Sequence, residues 1–185
     1  RLVTELCRVA HDRGATVLWG RCDEELGIPY EPFAEALRHY IAVVSPERLR
    51  AELGPLGGEL TRIAPDLAAR VPGLADPLQG EPEAERHRLF ESVVDLFGEM
   101  SVAAPVVLVL DDVHWADKPS LLLLRHLLRA NVPLRLLVIA TYRDTDLDRS
   151  HPLSDVLADL RREAGVERLD LHGLDVDGVG ALMTA

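Results

Sequence analysis

The sequence predicts one α/β domain in which a mainly parallel sheet carries helices on both faces. Its 185 residues, 48% of them apolar, are enough to bury one sizeable core. Short aliphatic runs alternate with longer stretches of helical periodicity, a pattern typical of strand-helix-strand crossovers. One run, residues 106–110, is aliphatic throughout, as expected of a central parallel strand covered on both faces.

The beginning of the chain predicts a helix, a strand and a second helix. Apolar residues at helical spacing run from the first residue to Gly14, which can adopt the left-handed conformation found at helix ends. Residues 15–19 are rich in strand-forming side chains, and Gly20 closes the run. An amphipathic helix then begins near Pro32 and ends before residue 45.

Residues 45–82 are interrupted repeatedly by proline and glycine, which leave room only for short helices around residues 49–53 and 60–69. We therefore expect a small helical insertion over about 45–82, within a domain that otherwise occupies residues 1–185.

The rest of the chain alternates regularly between helix and strand. The predicted order is a helix around residues 89–100, strand 106–110, a helix capped by Asp117, strand 134–140, helix 153–160, a weaker strand 166–171 and a final helix capped by Asp175.

Composition limits the partners of this segment. A formal charge of −11 argues against binding to a nucleic-acid backbone, because that affinity depends largely on Lys and Arg. No stretch approaches the roughly 18 apolar residues of a membrane span, and no signal segment opens the chain, so we expect a cytoplasmic protein without a membrane partner. Cys7 and Cys22 lack metal-ligand spacing and are interpreted as packing residues.

Two carboxylates come directly after the central strand. Ligands of open parallel sheets bind at the carboxyl ends of the strands, where Asp111 and Asp112 lie. One carboxylate can hold Mg²⁺, while the next polarises the water that attacks a γ-phosphate. The alternative is that both residues only turn the chain and cap the next segment.

The next strand ends at Thr141-Tyr142-Arg143, and its arginine is a second candidate. A planar guanidinium suits phosphate oxygens, so Arg143 can reach the terminal phosphate of a nucleotide held over the neighbouring strand. The alternative is a solvated loop residue.

A resemblance to a known family rests on three stretches. These are Leu-Asp-Asp-Val-His-Trp-Ala-Asp at 110–117 with its leucine-rich helix, the strand end at 141–143, and residues 20–33. Together they resemble the AAA-like ATPase module of signal-transduction ATPases with numerous domains (STAND), as in large ATP-binding regulators of the LuxR family.

The resemblance implies a three-layer αβα fold of the P-loop NTPase type, with ATP and Mg²⁺ as cofactors. It implies that Asp111 is the Walker B metal ligand, that Asp112 is the catalytic acidic residue that primes water, and that Arg143 is the sensor that reads the γ-phosphate. His114 and Trp115 either signal the nucleotide state or pack the turn, and for Trp115 we favour packing.

The chain departs from this family at the phosphate-binding loop. A P-loop requires Gly-x-x-x-x-Gly-Lys-Ser/Thr, and the sequence contains no Gly-Lys pair. Both ends fall inside helical patterns, so we expect a fragment that lacks the P-loop and first strand and hydrolyses ATP negligibly alone. The relatives' strand order, 5-1-4-3-2, places the missing strand between the strand ending at Arg143 and the weaker strand at 166–171.

The sequence therefore predicts part of an ATP-driven switch in a multidomain bacterial signalling or transcription regulator. Its expected partners are ATP and the sensor and output domains of the same chain, and self-association is left open. The alternative is a non-catalytic scaffold or interaction module that keeps the fold without the phosphate loop.

Overall fold

Three parallel strands form the centre of the molecule. The computed structural model describes residues 1–24, 27–148, 151–163, 165–171, 173 and 180. Within these ranges β1 (Thr16–Arg21), β2 (Val106–Asp111) and β3 (Leu136–Ala140) form one sheet in the order β1-β2-β3. The α/β class with a parallel sheet is therefore confirmed. The carboxyl ends of all three strands meet at one edge.

The helices lie close to where the sequence predicts them. Each predicted helix up to residue 160 is present, and no helix in the described residues is long and apolar enough to cross a membrane. The α-helices are α1 (Leu2–Asp12), α2 (Glu31–Val43), α3 (Pro46–Glu52), α4 (Asp66–Arg70), α5 (Pro82–Ala103), α6 (Lys118–Leu128) and α7 (Pro152–Leu160), and 3₁₀ turns span Gly57–Arg62, Val113–Trp115 and Asp144–Asp146.

The two faces of the sheet are covered unequally. Leu108 and Leu110 of β2 point into the main core, where α2, α5, α6 and α7 pack. Val107 and Val109 point to the other face, where Cys7 of α1 covers them. A strand buried on both faces explains the continuous aliphatic run of β2. On the α1 side, by contrast, Leu137 of β3 remains 51% exposed.

The short helices between residues 46 and 70 belong to the same core, as Leu49, Leu60 and Leu67 show. Buried Glu59 ties this region together by accepting hydrogen bonds from Arg62 Nε at 2.8 Å, Arg88 Nε at 3.1 Å and the Leu78 amide at 2.9 Å. Burial works to raise the pKa of Glu59, but these hydrogen bonds outweigh it and lower that pKa below its usual value.

The predicted strand at residues 166–171 is wrong, because these residues form no strand and leave Leu169 79% exposed. The Val106 amide donates to the Arg135 carbonyl and the Thr141 amide to the Leu110 carbonyl, so even-numbered residues of β3 turn their backbone groups away from β2. No described strand pairs with that edge. The outer edge of β3 is therefore free of any described strand, but residues 166–171 do not pair with it. Arg168 instead forms ion pairs with Asp144 and Asp170 at 2.8 Å, and residues 167–171 stay exposed to solvent. The predicted helix at Asp175 lies outside the described residues.

Gly20 provides a test of the packing beneath the carboxyl edge. A Cβ atom built there would lie 1.7 Å from the Pro32 carbonyl oxygen at the start of α2, so Gly20→Ala forces β1 and α2 apart. We expect a loss of about 3 kcal/mol in the free energy of unfolding, measured by urea denaturation.

The matched control is Gly98→Ala within α5, where the nearest atom would be Leu134 Cδ2 at 3.7 Å. Because alanine favours helix, this variant should keep or gain up to about 1 kcal/mol. Equal stability of the two variants would contradict the close approach of α2 to β1.

Candidate functional site

The hydroxyl of Thr141 links the two acidic residues at the end of β2. Thr141 Oγ1 donates to Asp111 Oδ1 at 2.5 Å and accepts a hydrogen bond from the Asp112 amide at 3.0 Å. The Thr141 carbonyl also accepts from the Val113 amide at 2.8 Å. The residue directly after β3 therefore fixes both the first carboxylate and the backbone of the second.

Asp112 adopts a left-handed backbone conformation, with φ 58° and ψ 42°. This region is unfavourable for most residues but accessible to Asp and Asn, and it costs on the order of 1 kcal/mol or more. The turn brings the Asp112 carboxylate to 3.4 Å from Arg21 Nη2 at the end of β1. The acidic turn, defined as Asp111 and Asp112, is thus bounded by one residue from each neighbouring strand.

Negative charge is concentrated around this edge, as the environment of Cys22 shows. Burial raises the pKa of Cys22 to about 12, with further contributions from Asp117, the acidic turn and Glu35. Glu35 lies nearby because its Oε2 accepts a hydrogen bond from the Arg21 amide at 2.6 Å. The four carboxylates named here attract a cation, whereas the burial that contributes most to the Cys22 shift disfavours charge of either sign.

Arg143 lies two residues beyond Thr141, and its position is consistent with a ligand contact. It begins the 3₁₀ turn Asp144–Asp146, is exposed to solvent, and makes no hydrogen bond or ion pair through its guanidinium with any described residue. The structure thus joins Asp111 and Asp112 through Thr141, and leaves Arg143 unpaired with any described residue at the same edge of the sheet.

The turn after Asp112 buries one of its two aromatic side chains and leaves the other exposed. Trp115 is 38% exposed and so lies outside the core, although it still packs on the turn, and His114 is the buried member of the pair at 2% exposure. The left-handed turn at Asp112 points the histidine inward, and the tryptophan ring lies over it with ring centres 4.8 Å apart.

The donor set suits magnesium better than a metal held wholly by protein. Among the residues described, no three His, Cys, Asp or Glu side chains converge on one metal position. Mg²⁺ commonly uses one or two carboxylates and completes its coordination with water and phosphate oxygens. The acidic turn offers that pair of carboxylates.

The start of α1 lies at this same edge. The chain reverses at Gly14, which has φ +88°, and α1 packs back over β1 and β2 through Val3, Cys7 and Ala10. Because α1 runs antiparallel to β1, its amide-rich first turn lies at the carboxyl ends of the strands, where anions are favoured.

Sequence reasoning missed two residues of the site, Thr141 and Arg21. Thr141 belongs to the triplet 141–143 at the end of a predicted strand, and Arg21 comes directly after Gly20. Neither position in the sequence reveals that Thr141 bonds Asp111 or that Arg21 approaches Asp112. The signal that could have found them is the parallel register, which sets Arg21 opposite Asp111.

A family model described as an AAA ATPase domain matches residues 1–139 of this chain. The match covers 139 of the 185 residues, so the chain belongs to the AAA ATPase domain family. No curated protein and no solved structure matched the chain.

Replacing the bridging hydroxyl tests this geometry. Thr141→Val removes the donor to Asp111 and the acceptor of the Asp112 amide, so we expect a loss of about 1–2 kcal/mol in the free energy of unfolding. Thr145→Val is the control, since among the described residues its exposed hydroxyl bonds only Asp146 Oδ1, at 3.0 Å, and it should change stability by less than about 0.5 kcal/mol. Similar effects in urea denaturation would show that Thr141 does not organise the acidic turn.

Proposed function

We propose that this member of the AAA ATPase domain family is the magnesium-binding and γ-phosphate-sensing part of an ATP-dependent regulatory switch. The observation that carries the proposal is the acidic turn, in which one hydroxyl from the adjacent strand holds Asp111 and Asp112 at the end of a buried parallel strand. Nucleotide sites of open parallel sheets lie at such edges.

Each residue has a distinct proposed role. Asp111 holds Mg²⁺, directly or through water, and its Thr141 hydrogen bond fixes the orientation of the carboxylate. Asp112 is the catalytic carboxylate, which accepts a hydrogen bond from the attacking water and so orients and polarises it. The bound ion supplies charge neutralisation of the phosphates. Arg143 binds the γ-phosphate through its guanidinium, which pairs with none of the described residues.

The wider setting is also a proposal. We place the switch in a multidomain bacterial signalling or transcription regulator of the STAND type, as in the LuxR family, located in the cytoplasm. Its partners are ATP and the sensor and output domains of the same chain, with self-association left to be tested. The charge of −11 supports a segment that does not itself bind nucleic acid.

One observation favours a second candidate, a non-catalytic scaffold. The sequence contains no Gly-Lys pair, so it lacks the loop that normally grips the phosphates. The same absence underlies the proposal that this chain alone turns over ATP negligibly. Binding of metal and nucleotide by the intact protein to which this chain belongs separates the two candidates, because only the switch requires it.

Asp111 is tested with Mn²⁺ and ATP, since the electron paramagnetic resonance of free Mn²⁺ detects weak binding. Asp111→Asn keeps an acceptor for the Thr141 hydroxyl but removes the charge, so we expect Mn²⁺-ATP affinity to fall by about tenfold or more. The control Asp66→Asn removes an exposed carboxylate from α4 and should leave affinity unchanged. Equal affinities of all three proteins would remove Asp111 from the metal site.

Arg143 is tested by comparing ATP with ADP. Arg143→Ala should weaken Mn²⁺-ATP binding roughly tenfold and leave Mn²⁺-ADP binding nearly unchanged, because only ATP carries the phosphate that this guanidinium binds. The control is Arg13→Ala, at the end of α1 and the opposite edge of the sheet. Parallel losses for both nucleotides would assign Arg143 to general charge attraction.

A further inference from the structure

His114 is a buried polar residue that the proposed chemistry does not use. Its side chain has no exposed surface, and neither ring nitrogen has a hydrogen-bond partner in the described structure. A buried polar group without a partner is unfavourable, and a hydrophobic residue of similar volume would fill the same space without that penalty. Packing alone therefore does not account for a histidine here.

One charged group lies within reach of the ring. His114 Nε2 is 3.4 Å from Asp146 Oδ2, close enough for attraction but without the geometry of a hydrogen bond. Asp146 keeps 31% of its side chain exposed, so it can move toward the ring without disturbing the core. A small displacement of the Asp146 side chain would complete the contact.

The contact joins the two turns that carry the proposed site. His114 belongs to the turn Val113–Trp115, directly after the acidic turn, and Asp146 ends the turn Asp144–Asp146, directly after Arg143. The amide of Asp146 donates to the Arg143 carbonyl at 3.3 Å, so a force on Asp146 reaches the backbone of Arg143.

We propose that His114 is a positioning residue that holds, through Asp146, the turn carrying Arg143 close to the acidic turn. The consequence for nucleotide recognition rests on the proposed function of Arg143. The positional claim does not, because it concerns the 3.4 Å approach of Asp146 to His114, which is present in the protein without ligand. In the ligand-bound state, closing the 3.4 Å gap fixes the guanidinium beside the γ-phosphate.

The positional claim is tested by hydrogen exchange of the whole 185-residue chain without ligand. The reporters are the amides of Asp146 and Leu147, which bond the Arg143 and Asp144 carbonyls at 3.3 Å. His114→Leu and Asp146→Ala should each speed their exchange roughly fivefold, and the double variant should do no more than either alone. His114→Gln, which retains a donor, should restore protection.

Two features keep this test decisive. Asp146→Ala changes a partly exposed side chain, so it probes the same contact if His114→Leu fails to fold. Asp144→Ala is the matched control, since Asp144 lies in the same turn but pairs with Arg168 at 2.8 Å, and its effect should add to that of His114→Leu. Additive effects of His114→Leu and Asp146→Ala, or unchanged exchange in Asp146→Ala, would overturn the proposal.

The consequence for recognition is tested by the preference for Mn²⁺-ATP over Mn²⁺-ADP. Asp146→Ala should lower this preference by the same factor as Arg143→Ala, and the double variant should lower it no further. If Arg143→Ala abolishes the preference while Asp146→Ala leaves it intact, the proposal fails and the proposed function stands. This comparison uses the intact protein, and if it shows no preference before substitution, the proposed function fails and the exchange experiment alone decides the role of His114.

Discussion

Two adjacent negative charges at the end of a buried strand require support from their surroundings, and this requirement shapes the carboxyl edge of the sheet. Asp111 and Asp112 come after five fully buried residues of β2, where few solvent dipoles can screen their repulsion. The support comes from both neighbours in the sheet, as Thr141 beyond β3 donates to the first carboxylate and Arg21 of β1 approaches the second. The site therefore depends on the strand order β1-β2-β3, because β2 must have a neighbour on each side.

A second set of contacts joins the beginning of α2 to the beginning of α6, next to the carboxyl ends of the strands. The Tyr30 amide donates to Ser120 Oγ at 2.9 Å and to Asp117 Oδ2 at 3.2 Å, while Asp117 also caps α6. Gly20 lets the same region approach β1. The carboxylate of Asp117 is thus engaged in hydrogen bonds that stabilise the fold. It differs in this from Asp111 and Asp112, whose carboxylates are the candidates for binding a cation.

The features predictable from sequence are those that local patterns determine. The aliphatic run of β2 and the cap at Asp117 each arise from their own residues. The sequence indicates Gly20 as the end of a strand, but β1 continues to Arg21, because the glycine is there for close packing against Pro32. The strand at 166–171 fails although no described strand occupies the outer edge of β3, because the charged residues of this weakly apolar segment pair at the surface instead. The roles of Thr141 and Arg21 depend on the register between strands, which no local pattern encodes. The burial of His114 and the exposure of Trp115 depend on the left-handed conformation of Asp112, which is equally invisible in the local sequence.

The register of the sheet also carries a consequence for the order in which the chain folds. Val106 pairs with Leu136, thirty residues away, whereas Thr16 pairs with Val106 across ninety residues. Closing the longer loop costs about 1 kcal/mol more in chain entropy, and distant contacts slow folding. The β2–β3 unit, with its threonine already beside the acids, can thus assemble early, and β1 joins late. The counter-charge of Asp112 comes from Arg21 of β1, so we expect the carboxyl edge to be electrostatically complete only after β1 has joined the sheet.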